Sequence, residues 1–172
     1  MEHTKSVETQ TTKRSPRIAV LGIGNLLLKD EGIGVHLVQK LAGNVNNTKV
    51  DLIDAGTSPE LLSLLDGNID KLIIVDAVKA GNAPGTIYRF SPDNVDVNPT
   101  PRFSLHDIGV LDNLKTMALL NRLPKSTVII GVEPKTISFG LELSPEVEEK
   151  LPEIVSLVLK EIEETKFMEV DK

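Results

Sequence analysis

Cysteine is absent from this 172-residue chain, and so is tryptophan. The first absence removes disulfides, thiolate metal sites and cysteine nucleophiles together, and it fits a reducing compartment, so a cytoplasmic location is expected. The second, with a single tyrosine, leaves nothing from which to build an aromatic platform for stacked bases. No apolar run approaches the roughly 18 residues that span a bilayer. The polar, Thr-rich start, Met1 to Pro16, has no apolar centre and is not a signal peptide. Basic runs are missing beyond Lys13-Arg14, and the net charge is −6, which argues against a nucleic-acid partner. Neither H-E-x-x-H nor G-x-S-x-G occurs, and scarcity of histidine weakens any serine triad.

What is present suits one domain with room for a real core: 40% of residues are hydrophobic. We expect a polar extension over 1–16, a single α/β domain over 17–163 and a polar tail over 164–172. The chain is organised around residues 17–38, RIAVLGIGNLLLKDEGIGVHLV. Ile18, Val20 and Leu21 form an apolar, partly β-branched run of the kind buried in parallel sheets. Gly22 and Gly24 permit a sharp turn at its end. The acidic pair Asp30-Glu31 then precedes a helical pattern of Val35, Leu37, Val38 and Leu41. A dinucleotide fingerprint would need glycine where Leu27 stands, and two acids at a helix start repel a pyrophosphate. Helix capping by the acids and a cation facing them both remain open from this stretch alone.

The same alternation continues. Val50 to Ile53 reads as a second strand ending in Asp54-Ala55-Gly56-Thr57, followed by a short helix through Leu61, Leu62, Leu64 and Leu65, with Ser58 as cap and Pro59 first. Leu72 to Val75 is a fully apolar, central strand ending at Asp76. Thr86 to Phe90 alternates and predicts a shorter, more exposed strand. Residues 91–103 carry Pro92, Pro99 and Pro101 and are expected to be an irregular, stiffened loop bordering the site. Ser104 with Asp107 resembles a capping box for a helix holding Leu111, Leu114, Ala118 and Leu119. Thr127 to Val132 is a further buried strand. A last helix begins at Ser144-Pro145, and Pro152 kinks or divides it. The expectation is a three-layer α/β sandwich: a mostly parallel, twisted sheet of about five strands with helices on both faces.

Ligands in such sheets bind beyond the carboxyl ends of the strands. Glu31 follows the first strand, Asp54 ends the second and Asp76 the third, so the three acids fall along one edge. Gathering carboxylates without a cation costs several kcal/mol. Of the three histidines, His3 is in the extension, and His36 lies about 140° round a helix from Glu31. His106 remains, near a helix amino end where the dipole keeps the ring neutral and able to bind metal. Two carboxylates and an imidazole suit a borderline divalent metal with positions left open.

Several ordered pieces, GIGNLLLKDEGIG (22–34), DAGT (54–57), VDAV with a following G-x-x-PG (75–85), SLHDIG (104–109) and GVEPKTISFG (131–140), resemble the maturation endopeptidases of nickel–iron hydrogenases. The resemblance covers about residues 17–163; DAGT has alanine where many members have a second glycine. It implies an endopeptidase that trims a short C-terminal extension from the hydrogenase large-subunit precursor after nickel insertion. It further implies that Glu31, Asp76 and His106 contact metal and that Asp54 is the D-x-G-T aspartate, as a catalytic group or as a loop anchor. The nickel would then be carried by the substrate, and the protease is expected to work as a monomer. The alternative is a metal-delivery or assembly chaperone on the same fold, with metal contacts and no hydrolysis.

Overall fold

The computed structural model describes residues 14–45, 47–57, 60–65, 68–92, 102–103 and 105–166, with the side chains of 61–62, 102–103, 105–108 and 166 outside the description. The apolar run at the start of the domain is strand β1, Ile18–Ile23, buried at every position. A 3-10 turn over Lys29–Gly32 leads into helix α1, Ile33–Ala42. Strand β2, Val50–Gly56, helix α2, Leu61–Leu64, and strand β3, Lys71–Lys79, follow. Then come β4, Ile87–Phe90, a two-residue β5, Arg102–Phe103, and helix α3, Leu105–Leu119. Strand β6, Ser126–Val132, precedes α4, Pro145–Glu148, and α5, Leu151–Lys166.

The sheet order is β2-β1-β3-β6-β4, with β5 paired to β3 outside that path. β2, β1, β3 and β6 run parallel, and only β4 and β5 are antiparallel to their neighbours. This is the expected mostly parallel sheet, and it is covered on both faces. On one, Ile18, Val20, Ile73 and Val75 pack with Ile33, Leu37 and Leu41 of α1 and Ile154 and Val158 of α5. On the other, Ala19, Leu21, Leu72 and Ile74 pack with Val110, Leu114 and Met117 of α3. Burial on both faces is what makes the strand sequences continuously apolar.

The last helix is divided, as the proline led us to expect: Pro152 sits in the first turn of α5, where its missing N–H leaves no hydrogen bond unmade. Ser144 occupies the N-cap of α4 with Pro145 next, as expected, yet its hydroxyl caps nothing. α5 runs to Lys166, and its Ile162 and Thr165 are buried. The end of the amino-terminal extension is anchored: the Arg14 guanidinium donates to both Asp70 oxygens at 2.6 and 2.8 Å. Partial burial opposes the Asp70 charge, but Arg14 and the Arg17 amide outweigh it and hold the carboxyl below its usual range. Residues 1–13, the Ser58-Pro59 cap, the Ser104-Asp107 capping box, most of the 91–103 loop and residues 167–172 lie outside the described residues and side chains. The segment 91–103 does include β5, whose Phe103 and Arg102 pair with Val78 and Lys79. Across the sheet, buried Glu161 of α5 accepts Lys71 Nζ of β3 at 2.7 Å and also binds Arg89 of β4.

Candidate active site at the carboxyl edge of the sheet

At the carboxyl ends of β1 and β3, glycine permits close approach of backbones. A Cβ added to Gly22 would stand 2.1 Å from the Gly34 carbonyl oxygen, and one on Gly34 would stand 2.2 Å from that of Val75. At Gly24, where φ is +142°, the Cβ would be 1.8 Å from the Glu31 oxygen. Bare backbone therefore lets the 3-10 turn and the start of α1 settle directly on the ends of β1 and β3. The turn so placed carries Glu31, and the next residue of β3 after Val75 is Asp76. The glycines of the motif are packing surfaces, which explains why they do not follow a phosphate-binding spacing.

The two acids of the turn have different work. Successive residues of a 3-10 turn point about 120° apart. Asp30 is fully buried and accepts four hydrogen bonds. They come from the amides of Lys135 (2.9 Å), Thr136 (2.8 Å) and Ser144 (2.6 Å) and from the Ser144 hydroxyl (2.8 Å). Asp30 thus binds the exit of β6 and the cap of α4 to the turn, and it diverts the Ser144 hydroxyl from capping. Lys29, at φ +50°, is held in the left-handed region at a cost of about 1 kcal/mol. Glu31 and Asp76 are 7% and 3% exposed. The Ala77 amide donates to Asp76 Oδ1 at 2.8 Å. Side-chain alternation puts Asp76 on the face of Leu72 and Ile74, which α3 covers.

Asp54 stands apart. It is exposed, at the end of the edge strand β2, and its register partner is Gly22 of β1, whose partner on the other side is Val75 of β3. Two strand spacings, about 10 Å, separate it from β3. Its Oδ1 accepts the amide of Gly56 at 2.9 Å. Gly56, at φ +51°, in turn offers its carbonyl to the Gly24 amide at 2.8 Å. A chain of contacts runs from Asp54 through Gly56 to Gly24, and Gly24 abuts Glu31.

His106 is the second residue of α3, as expected of a helix start, and its side chain is outside the description. The antiparallel register of β5 runs from Lys79 opposite Arg102 to Val78 opposite Phe103. The chain therefore enters α3 travelling toward the level of Asp76. Among the described residues no three His, Asp or Glu side chains form a metal-binding group.

Two residues that shape this edge were not singled out from the sequence as anchors. One is Asp30, whose partners lie 105 to 114 positions away; its only local signal is its place beside Glu31. The other is Glu133, just past β6. It accepts the amides of Ala80 (2.8 Å) and Gly81 (3.2 Å) and the Tyr88 hydroxyl (2.6 Å), and so fixes the loop that leaves β3. Burial opposes its charge, yet these donors hold its carboxyl below the usual range. Burial and the same carboxylate push the Tyr88 hydroxyl up.

Comparison with known proteins places the whole chain in a family. The model of the hydrogenase maturation protease family matches residues 35–161. The hydrogenase 2 maturation protease of Escherichia coli (strain K12) is 36% identical over 152 residues, covering 87% of this chain and 92% of that protein. The chain belongs to the hydrogenase maturation protease family. A hydrogenase expression/formation protein, HupD, of Thiocapsa roseopersicina is 37% identical over 86% of this chain and 68% of its own. Among solved structures, the hydrogenase maturating endopeptidase HybD from E. coli is similar with a TM-score of 0.76 and 32% identity, covering 91% of this chain and 98% of that one. The [NiFe] hydrogenase maturation protease HybD from Thermococcus kodakarensis gives 0.69 and 30%, over 84% and 97%. As a member of this protease family the chain is a peptide hydrolase, and hydrolysis is favoured over the chaperone alternative. Asp54, Asp76 and His106 fall inside the stretch matched by the family model, and Glu31 precedes it. No helix among the described residues is long and apolar enough to cross a membrane.

Proposed function

We propose that this protease removes the C-terminal extension of a nickel–iron hydrogenase large-subunit precursor, acting in the cytoplasm as a monomer once nickel has been inserted. The observation that carries the reading is the pair of buried carboxylates, Glu31 on the 3-10 turn that follows β1 and Asp76 in the adjacent strand β3. Concentrated negative charge in a low-dielectric edge attracts a cation. With His106, the second residue of α3, the donor set suits nickel that the substrate already holds. The contacts complete the coordination of that nickel and so test loading before the chain is cut. Nickel there polarises the scissile carbonyl or activates the water that adds to it. The peptide C–N bond then breaks, and the departing amine takes a proton.

Asp54 is assigned a positioning role. Its hydrogen bond to Gly56, and that of Gly56 to Gly24, support the turn that bears Glu31. The test separates that role from general-base catalysis. An Asp54→Asn variant keeps an oxygen acceptor for the Gly56 amide, so processing persists if Asp54 positions and is lost if it takes a proton. Glu31→Gln, Asp76→Asn and His106→Ala should each abolish processing of nickel-loaded precursor with the fold retained by circular dichroism. Near-wild-type cleavage by any of the three removes that residue from the site.

A further inference from the structure

Leu28 and Gly140 form a parallel bridge, flanked by hydrogen bonds from the Gly140 amide to the Leu27 carbonyl and from the Lys29 amide to the Gly140 carbonyl, each 2.9 Å. The bridge sets Leu27 beside residues 139–141, and Leu27, Phe139 and Leu141 are 51%, 83% and 64% exposed. Three large apolar side chains on one short strip are unusual where water has free access.

The strip is built rather than loose. Asp30 pins it from both sides through Lys135, Thr136 and Ser144. His36 Nε2 lies 3.1 Å from the Leu141 carbonyl oxygen. Gly140, at φ +154°, lies where a Cβ would be 2.7 Å from Lys29 Cε. A surface already fixed in shape pays little ordering entropy on binding. It is also covalently continuous with Glu31, through Lys29 and Asp30, on the carboxyl edge of the sheet. Lys29, Lys135, Glu142 and Glu146 line a cleft with Leu141 and bring charge of both signs beside it, as polar residues rim an interface core.

We propose that Leu27, Phe139 and Leu141 are the surface on which the folded body of the large-subunit precursor docks, holding it while its tail is cut. This rests on the proteolytic reading above for the partner's identity. A side chain as exposed as Phe139 suits a pocket in a folded partner better than the grip of an extended peptide. Nearness to Glu31 favours the substrate over a second copy of this chain. The remaining exposed large apolar residues among those described, Leu119, the last residue of α3, and Leu120 after it, lie on the way to the start of β6 and supply a control.

The test uses the full chain. Binding of nickel-loaded precursor to the immobilised protease is measured beside cleavage kinetics, for wild type, Phe139→Ser with Leu141→Ser, Phe139→Tyr and Leu119→Ser. The double variant should raise both Kd and KM by about tenfold or more with kcat little changed, while Phe139→Tyr and Leu119→Ser stay near wild type. An unchanged Kd for the double variant overturns the proposal, as does an equal loss in Leu119→Ser. Sedimentation showing that the wild type self-associates through this strip, and that the double variant only breaks that dimer, also overturns it. If the wild type binds precursor through the strip and never cuts it, the proteolytic reading fails while docking stands.

Discussion

Replacing Gly34 by alanine sets two effects against each other. Gly34 lies in the first turn of α1, where alanine improves helix propensity by about 0.5–1 kcal/mol. Against this, the new Cβ meets Val75 O at 2.2 Å, Ile23 O at 2.4 Å and Ile23 N at 2.5 Å. All three are backbone atoms of central strands, held in the sheet by their own ladders, so no side chain can rotate away. To reach ordinary contact the helix start must lift by about 1 Å. Overpacking of this kind costs roughly 1–3 kcal/mol, and here its upper part applies because the obstacle is rigid. The net loss should be about 1–2 kcal/mol, lowering Tm by roughly 3–8 °C in a chain of this length. The same lift displaces Glu31, on the turn just ahead. A misplacement of about 1 Å in reacting geometry costs on the order of 10²-fold in rate. Guanidinium unfolding followed by circular dichroism, beside kcat/KM for precursor cleavage, reads both. Gly43→Ala is the control: nothing lies within 4 Å of its Cβ, so it should be neutral. A Gly34→Ala protein as stable and active as wild type would refute the claim that backbone contact there sets the position of Glu31.

Asp30→Asn should cost about 2–4 kcal/mol in denaturant unfolding, because an amide cannot replace a carboxylate that accepts four bonds and leaves donors stranded; limited proteolysis should then cut between 134 and 144, and unaltered protection there would count against its anchoring role. On the acid side, Asp70, Glu133 and Glu161 all have lowered folded values. For Glu161, burial opposes the charge and the Arg89 and Lys71 contacts outweigh it. Such groups contribute fully above the unfolded carboxylate range of about pH 4, and their contribution is lost as pH falls through the lowered folded values. Stability should therefore be nearly flat from about pH 8 to 5 and fall steeply below about 4; a decline beginning near pH 6 would contradict this. Tyr88, whose value is raised, adds an alkaline limb: its contribution is complete below about pH 10 and lost above it.

Periodicity revealed the layers because parallel strands buried on both faces leave uninterrupted apolar runs, as in Leu72 to Val75. The carboxyl-edge acids were legible from the same frame, since Glu31 and Asp76 each follow such a run. Less legible was which acid does what. Asp30 and Glu31 are neighbours of the same type, both buried, and only the fold shows that Asp30 meets amides 105 positions away. Ser144 looked like an ordinary cap; competition from a buried carboxylate redirected its hydroxyl. Asp54 shares the edge in sequence order, yet strand order and side-chain alternation set it apart from Asp76. β5 was missed because two residues carry no period, although they steer the entry to α3.

The most direct measurement of the central claim is the mass of the large-subunit precursor after incubation with this protein, nickel-loaded in one tube and nickel-free in the other. The account predicts loss of a single C-terminal peptide from the loaded precursor and an intact mass for the nickel-free one, even at high enzyme concentration. Equal trimming of both would contradict the role of Glu31, Asp76 and His106 as readers of bound nickel, and an uncut loaded precursor would contradict the proteolytic assignment itself.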